Sequence, residues 1–155
     1  MIKDAVISPC SKYRYALHRQ WDDSLPSVMF IGLNPSTADA VDDDPTINKC
    51  IKYAQSWGYG SLVMANLFAY RSSNPNHLKT EVDPVGPDND AWLEKLAAQT
   101  NLIIAAWGNH GNYLNRDQVV RALFNNKLSL LKRNMSGQPA HPLYLKSDLV
   151  PSSYE

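Results

Sequence analysis

The chain has 155 residues, of which 44% are apolar and 19% are charged, and its formal net charge at pH 7 is zero. This length fits one domain that buries a core without cross-links, so we expect a single domain over residues 1–155. The composition excludes a disordered chain, and the lack of a basic excess argues against tight binding of duplex DNA through its phosphates. With two cysteines, Cys10 and Cys50, and no C-x-x-C pair, the sequence also excludes a disulfide framework, a cysteine-built zinc site and an iron–sulfur cluster.

The N-terminal residues are not followed by the apolar segment of a secretory signal, and no apolar run approaches the ~20 residues that span a bilayer. We therefore expect a cytoplasmic protein without a membrane partner. The sequence contains no G-x-G-x-x-G, Walker, H-E-x-x-H or G-x-S-x-G motif, so no cofactor is predicted.

The opening element is predicted to be a half-exposed strand over residues 13–21, where aromatic and basic side chains alternate. The next run, residues 28–33, is continuously apolar, which is typical of a strand buried on both faces of a parallel sheet. Similar runs follow at 62–65, 102–106 and 128–131.

Helical patterns separate these runs. The pair Asp44-Pro45 predicts a helix start, and that helix is expected to run to Trp57 and to end at Gly58. Two further helices are predicted, over 88–98 and 112–125. Residues 70–87 are rich in proline and lack a period, so we expect a long loop there; the sequence leaves open whether it is a lid.

This alternation of strands and helices implies crossover connections and a parallel sheet with helices on both faces. The predicted fold is therefore α/β: a three-layer α/β/α sandwich with a small central parallel sheet. The oligomeric state is left open.

Ligands of open parallel sheets bind outside the carboxyl ends of the strands. There the apolar runs are followed by Asn34, Asn66, Trp107 and, after a loop, His141. We expect these side chains to converge, although each has a structural alternative. Asn34 can form a turn and Asn66 can satisfy a neighbouring loop, while Trp107 can be a core residue and His141 a surface residue. His110 is interpreted as a residue of a helix start.

Four carboxylates lie close together in the sequence, at Asp39, Asp42, Asp43 and Asp44. Clustered carboxylates suit Mg²⁺, which makes a metal-dependent phosphohydrolase an alternative function, with Asp39, Asp42 and Asp43 as candidate ligands. Asp44 is equally explained as the cap of the predicted helix.

Six short stretches together carry a family resemblance: GLNPSTAD (32–39), DDPTI (43–47), NLFAYR (66–71), GPDND (86–90), WG (107–108) and HPLYL (141–145). They cover most of the chain and resemble a bacterial family known as domain-of-unknown-function family 1643.

More distantly, four segments resemble the uracil-DNA glycosylase superfamily. GLNPS and HPLYL are similar to the loops of its first and second motifs, IIAAWGNHG to its strand that ends in Trp-Gly, and LVMAN to its strand that ends in Asn. The second motif departs from the superfamily, because Leu143 and Tyr144 stand where Ser-Pro is usual. The resemblance implies a uracil-DNA glycosylase-like fold and hydrolysis of the N-glycosidic bond of a nucleobase, nucleoside or DNA base.

The resemblance also implies roles for individual residues. Asn34 would position the water or the ribose end of the substrate, and His141 would donate a hydrogen bond to the base carbonyl as negative charge develops there. Asn66 would read the edge of a pyrimidine, and Phe68 or Trp107 would stack on the base.

Four further residues are candidates for substrate binding. Pro35 and Ser36 share the loop of Asn34, and Arg14 and Arg19 lie in the opening strand. Both arginines belong to the family of unknown function rather than to the glycosylases, and they indicate a different substrate, a free nucleotide or a modified base. A module that binds a nucleotide or base in the same pocket without chemistry is the remaining alternative.

Overall fold

The computed structural model describes residues 1–154. Its strands are β1 (Ile2–Ile7), β2 (Arg14–Gln20), β3 (Ser27–Gly32), β4 (Ser61–Asn66), β5 (Leu102–Ala105), β6 (Ser129–Leu130) and β7 (Ser152–Ser153). Its helices are α1 (Pro45–Ser56), α2 (Asn89–Ala97) and α3 (Arg116–Leu123). Three 3₁₀ segments lie at Pro75–Lys79, Asn109–Asn115 and Pro142–Tyr144.

The strands form one mixed sheet in the order β1-β2-β4-β3-β5-β6-β7. The central strands β4, β3, β5 and β6 are parallel, as expected from the four apolar runs. The sheet as a whole is mixed, because β1, β2 and β7 pair in the antiparallel direction at its edges. The fold is therefore α/β with a parallel centre and antiparallel edges.

The central strands are continuously apolar because both of their faces are covered. On β3, Val28 and Phe30 belong to the cluster that includes the buried side of α1. Their neighbours Met29 and Ile31 belong to a second cluster, which includes buried residues of α2 and α3. Alternate side chains of one strand thus pack against helices on opposite faces, as the two-residue period of a strand requires.

The opening strand is the clearest correction to the sequence-based expectation. β2 is almost wholly buried rather than half exposed, since it lies between β1 and β4 and Arg14 and Arg19 are themselves buried. Alternation of aromatic and basic residues suggested a solvated face, but here the guanidinium groups turn to backbone carbonyl groups of neighbouring loops.

Helix α1 begins and ends as predicted. The carboxylate of Asp44 accepts a hydrogen bond from the backbone N–H of Ile47 at 2.9 Å, and Pro45 occupies the first turn. Gly58, with φ of +86°, comes directly after the end of the helix and has the left-handed conformation that is common at that position.

Within residues 1–154, no helix has the length and apolar character needed to cross a membrane.

Helix α3 starts four residues later than the predicted residue 112. Tyr113 is extended, and Leu114 and Asn115 have φ values of +52° and +58°, which interrupt the helical path before Arg116. No glycine or proline marks this break, so the side-chain pattern alone did not reveal it.

Candidate functional site

A cavity of about 400 Å³ lies at the carboxyl ends of the parallel strands. The chain leaves β3 toward α1 on one face and leaves β5 toward α3 on the other, so a crevice opens between these two neighbouring strands. The size is in the range of small-molecule pockets, roughly 300–1,000 Å³. Of the catalytic and substrate-binding candidates predicted from the sequence, the following line it: Arg14, Asn34, Pro35, Ser36, Asn66, Trp107 and His141.

Asn66 ends β4 and lines the cavity while being only 2% exposed. It is paired in register with Gly32, the last residue of β3, and a Cβ atom at Gly32 would lie 2.8 Å from Asn66 Oδ1. The Nδ2 of Asn66 is buried and has no hydrogen-bond partner. A buried donor without a partner costs free energy, so this amide is a group that a ligand acceptor would satisfy.

Asn34 holds the loop that follows Tyr70. Its Nδ2 donates to the carbonyl oxygens of Ser72 at 2.8 Å, Tyr70 at 3.3 Å and Pro35 at 3.2 Å. Because all three contacts are acceptors, the orientation of the amide is fixed, and Oδ1 is the atom left for a ligand or a water molecule. Asn34 therefore has a structural role, which is to hold this distant loop rather than only to form a turn, and its Oδ1 makes none of these three contacts.

His141 lines the cavity as an exposed residue, which fits the surface position that the sequence left open for it. Its Nδ1 accepts a hydrogen bond from the backbone N–H of Leu143 at 3.2 Å. Burial among its neighbours lowers the pKa of His141, and the nearby carboxylate of Asp44 partly offsets that shift. A neutral ring that accepts at Nδ1 carries its proton on Nε2, so His141 offers a hydrogen-bond donor to the cavity.

Arg14 brings a buried positive charge to the cavity. Because β2 runs antiparallel to β4, the first residue of β2 lies at the same edge as the end of β4. Arg14 is 4% exposed; its Nη1 donates to the carbonyl of Ala38 at 2.7 Å, whereas its Nε is buried without a partner. Burial lowers the pKa of Arg14 to about 10, so the group is still charged at neutral pH.

Phe68 and Arg19 do not line the cavity. Phe68 is fully buried and its ring packs against that of Tyr113, with centroids 5.7 Å apart. Arg19 is paired with Leu62, near the amino end of β4, and is fully buried. Trp107 is 1% exposed within the core and also lines the cavity.

The acidic loop has its own partners. Asp43 pairs with Arg19 at 2.8 Å and with Lys3 at 2.9 Å, and Asp39 Oδ1 accepts from the backbone N–H groups of Val41 and Asp42. The backbone hydrogen bonds lower the pKa of Asp39. Partial burial raises the pKa of Asp43, but the hydrogen bonds and charges of Lys3 and Arg19 together outweigh it, so the pKa of Asp43 is lowered as well. Within residues 1–154, no group of three or more His, Cys, Asp or Glu side chains is arranged to hold a metal ion.

Sequence analysis missed a cavity role for Asp44. The carboxylate that caps α1 also lines the cavity, where it is the one acidic side chain among the described lining residues. The signal was present, since the first turn of a helix that follows a parallel strand starts at the same edge of the sheet. Other lining residues that were not named include Thr46, Ser72, Ser73, Asn109 and Asn134.

Two residues outside the cavity fix the chain where β4 ends. The Nδ2 of Asn89, a fully buried residue of α2, donates to the carbonyl oxygens of Asn66 at 3.0 Å and Leu67 at 3.1 Å. Arg116 donates to the carbonyl of Leu67 at 3.0 Å and pairs with Asp90 at 2.7 Å. The backbone of Asn66 is therefore anchored from behind while its side chain faces the cavity.

The fold and the cavity define a protein of the α/β class with a pocket, lined by polar and apolar groups, at the carboxyl edge of its parallel strands. A family model described as "Protein of unknown function (DUF1643)" matches residues 14–143, and the chain belongs to this family. Comparison with curated proteins and with solved structures gives no match.

Proposed function

We propose that this protein hydrolyses the N-glycosidic bond of a substrate whose nucleobase occupies the cavity. The observation that carries the proposal is the buried, unpartnered Nδ2 of Asn66 in the wall of the cavity. Bases present ring nitrogens and carbonyl oxygens on their edges, and an amide is suited to pair with such an edge. The proposal includes the uracil-DNA glycosylase-like three-layer fold expected from the sequence.

The polar groups of the cavity suit this reaction. The Nε2 proton of His141 is a donor for an oxygen on the base, where negative charge grows as the bond breaks. Asn34 Oδ1 is an acceptor that can orient the attacking water. Asp44 is the acidic side chain of the cavity and accepts a proton from that water.

The atoms of this step balance without a cofactor. The C1′–N bond breaks and its electron pair leaves with the base, while the water oxygen forms a new bond to C1′. One proton of the water stays on the sugar hydroxyl, and the other passes through Asp44 to the departing base. The products are the free base and the sugar with a hydroxyl at C1′.

A second candidate function is binding of a nucleotide or base without chemistry. The three hydrogen bonds from Asn34 Nδ2 to loop carbonyl groups favour it, because they give Asn34 a structural task. In this case the cavity would retain its ligand unchanged, and Asn34→Ala would disturb the loop after Tyr70 more than it disturbs ligand affinity.

The test uses the full chain with three kinds of substrate: nucleosides, nucleoside 5′-monophosphates, and single- and double-stranded oligonucleotides that carry uracil or altered pyrimidines. Release of free base is measured by chromatography, and abasic sites in oligonucleotides by alkali cleavage. We expect base release that falls about 100-fold or more in His141→Ala and in Asn66→Asp, since each variant loses a donor to the base.

The matched control is His110→Ala, because His110 also lines the cavity and lies on its exposed side. Base release that survives in this variant and vanishes in His141→Ala assigns the donor. Saturable binding of an unchanged ligand supports the second candidate instead. If no substrate is bound or cleaved, both candidates are wrong.

A further inference from the structure

We infer that Arg14 binds the phosphate of the ligand, so that the natural occupant of the cavity is a free nucleoside monophosphate rather than an uncharged base or nucleoside. This inference rests on the proposed function for the identity of the base-bearing part. It depends separately on two properties of the Arg14 guanidinium, namely its unused hydrogen-bond donors and its place in the cavity.

The guanidinium of Arg14 has five N–H donors, and the protein satisfies it with one acceptor, the carbonyl of Ala38 at 2.7 Å. Its Nε is buried and has no partner. Among residues 1–154 no carboxylate forms an ion pair with it; the ion pairs of this region involve Arg19, Lys3 and Lys12 instead. A desolvated cation with unsatisfied donors is costly, and a bound oxyanion removes that cost by bidentate pairing.

The cavity offers other hydrogen-bond donors besides Arg14. Ser36, Thr46 and Ser73 line the same cavity, and their hydroxyl groups are donors of the kind that accompany arginine around phosphate oxygens. Thr46 lies in the first turn of α1, whose N-terminal end carries partial positive charge. The second unpartnered donor of the cavity, Asn66 Nδ2, belongs to the group proposed to face the base.

The position of Arg14 favours a free nucleotide over a nucleic acid. The side chain is 4% exposed and lies in the wall of a cavity, whereas a groove that tracks a polymer backbone presents its cations at the surface. The chain also has a formal net charge of zero, whereas proteins that hold long nucleic acids through their phosphates carry a basic excess.

Asp44 is the carboxylate in the cavity whose charge opposes that of Arg14. It lines the cavity, it acts on Arg14 through space without forming an ion pair, and one of its oxygens accepts from the N–H of Ile47. If Asp44 already balanced Arg14, the cavity would prefer uncharged ligands. The preference between a nucleotide and its nucleoside therefore distinguishes the two arrangements.

The experiment is calorimetric titration of the full chain with the common ribo- and deoxyribonucleoside 5′-monophosphates, the matching nucleosides, inorganic phosphate and a short single-stranded oligonucleotide. The variants are Arg14→Gln, which removes the charge, and Arg14→Lys, which keeps the charge but loses the planar pair of donors. Arg71→Gln is the matched control, because Arg71 is an arginine that acts on Arg14 through space and does not line the cavity.

We expect at least one monophosphate to bind the unaltered chain roughly 10- to 100-fold more tightly than its nucleoside, as charged hydrogen bonds to one phosphate imply. Arg14→Gln should abolish that preference, Arg14→Lys should reduce it, and Arg71→Gln should retain it. The comparison of monophosphate with nucleoside needs no variant, so it stands even if Arg14→Gln fails to fold.

Three results would overturn the inference: equal affinity for nucleotide and nucleoside, a preference that survives in Arg14→Gln, or binding of none of the small ligands. Tighter binding of the oligonucleotide than of every monophosphate would also reject a free nucleotide. Failure of the proposed function is distinct from these, because it appears as Arg14-dependent nucleotide binding without any release of base. The converse result, base release from nucleosides with no effect of Arg14→Gln, rejects the inference and retains the proposed function.

Discussion

Gly32 and Asn66 face each other across the parallel pair β3 and β4, and a Cβ atom on Gly32 would lie 2.8 Å from Asn66 Oδ1 and 3.0 Å from Met64 Cε. Because Gly32 has no side chain, the end of β3 leaves the space that the side-chain amide of Asn66, at the end of β4, occupies. The position of the unpartnered Asn66 donor depends on this contact.

We expect Gly32→Ala to displace the amide of Asn66, with a loss of about 1–3 kcal/mol in the free energy of unfolding and a larger loss of ligand binding or base release. Chemical denaturation and ligand titration measure the two effects. The control is a double-mutant cycle with Asn66→Ala, in which the stability cost of Gly32→Ala should shrink because the amide is gone. Full additivity would mean that the contact does not govern the site.

The titration of His141 provides a pH prediction. Its pKa lies below the ordinary value of 6.5, chiefly because of burial, so the ring stays neutral at pH 7 and accepts at Nδ1 from Leu143. As pH falls, the unfolded chain takes up a proton at His141 before the folded chain does. The free energy of unfolding is therefore unaffected by this histidine above about pH 6.5, and it declines as the pH falls through the pKa of His141 in the folded chain.

Ligand binding or base release should fall over the same pH range, because protonation at Nδ1 removes the acceptor for the N–H of Leu143 and so releases the ring from the orientation that aims its Nε2 donor. NMR titration of the histidine ring protons measures the pKa, with His141→Ala to assign the signal and His110→Ala as the control. A pKa of His141 above 6.5, or an acid limb that persists in His141→Ala, contradicts this assignment.

The central strands could be predicted from the sequence because burial on both faces leaves a continuous apolar run, as in residues 28–33. β1 could not, since it pairs only with β2 at the edge of the sheet and its first three residues are exposed, so its sequence has no strong apolar pattern. β7 consists of two serines, Ser152 and Ser153, and its pairing with β6 is a tertiary contact without a local signal.

Part of the site could also be predicted from the sequence. The rule that ligands bind at the carboxyl ends of parallel strands predicted that Asn34, Asn66 and Trp107 lie together, and all three line the cavity. It could not separate Arg14 from Arg19, because the sequence does not reveal that β2 runs antiparallel and so directs its first residue to the carboxyl edge and Arg19 toward the amino edge. The unpartnered atoms of Arg14 and Asn66 are likewise products of packing.

Substitution of Arg19 should therefore lower mainly the stability of the fold, whereas substitution of Arg14 should lower mainly the affinity for ligand. Arg19 is fully buried and holds the acidic loop through Asp43 at 2.8 Å and the carbonyl of Asp39 at 2.6 Å. We expect Arg19→Met to cost about 1–3 kcal/mol of unfolding free energy, because the loop carbonyls lose their donor, while the exposed Asp43 keeps Lys3 as a partner. Thermal or chemical denaturation measures this loss.

Lys3→Ala is the matched control for Arg19→Met, since Lys3 pairs with the same carboxylate from a more exposed position and should cost at most about 1 kcal/mol. The folded fraction of Arg19→Met should keep its ligand affinity, whereas Arg14→Gln should lose affinity with a smaller change in stability. Loss of affinity in folded Arg19→Met would instead make Arg19 part of the binding site.

Asp44 combines two tasks that one substitution can separate. Its Oδ1 caps α1 at the N–H of Ile47, and its carboxylate lines the cavity as the proposed proton acceptor. Asn caps helices about as well as Asp, so Asp44→Asn should change the unfolding free energy by no more than ~0.5 kcal/mol, while Asp44→Ala should lose about 1 kcal/mol. Base release should fall roughly 100-fold or more in both variants, because neither accepts a proton from water.

Substitution of Asp44 tests both the proposed reaction and the proposed phosphate site. If Arg14 holds a phosphate in the same cavity, removal of the neighbouring negative charge in Asp44→Asn should strengthen nucleotide binding while it slows base release. Asp42→Asn is the control, since Asp42 is an exposed acid of the same loop and does not line the cavity. Base release that is unchanged in Asp44→Asn would remove Asp44 from the chemistry and leave it the cap of α1 alone.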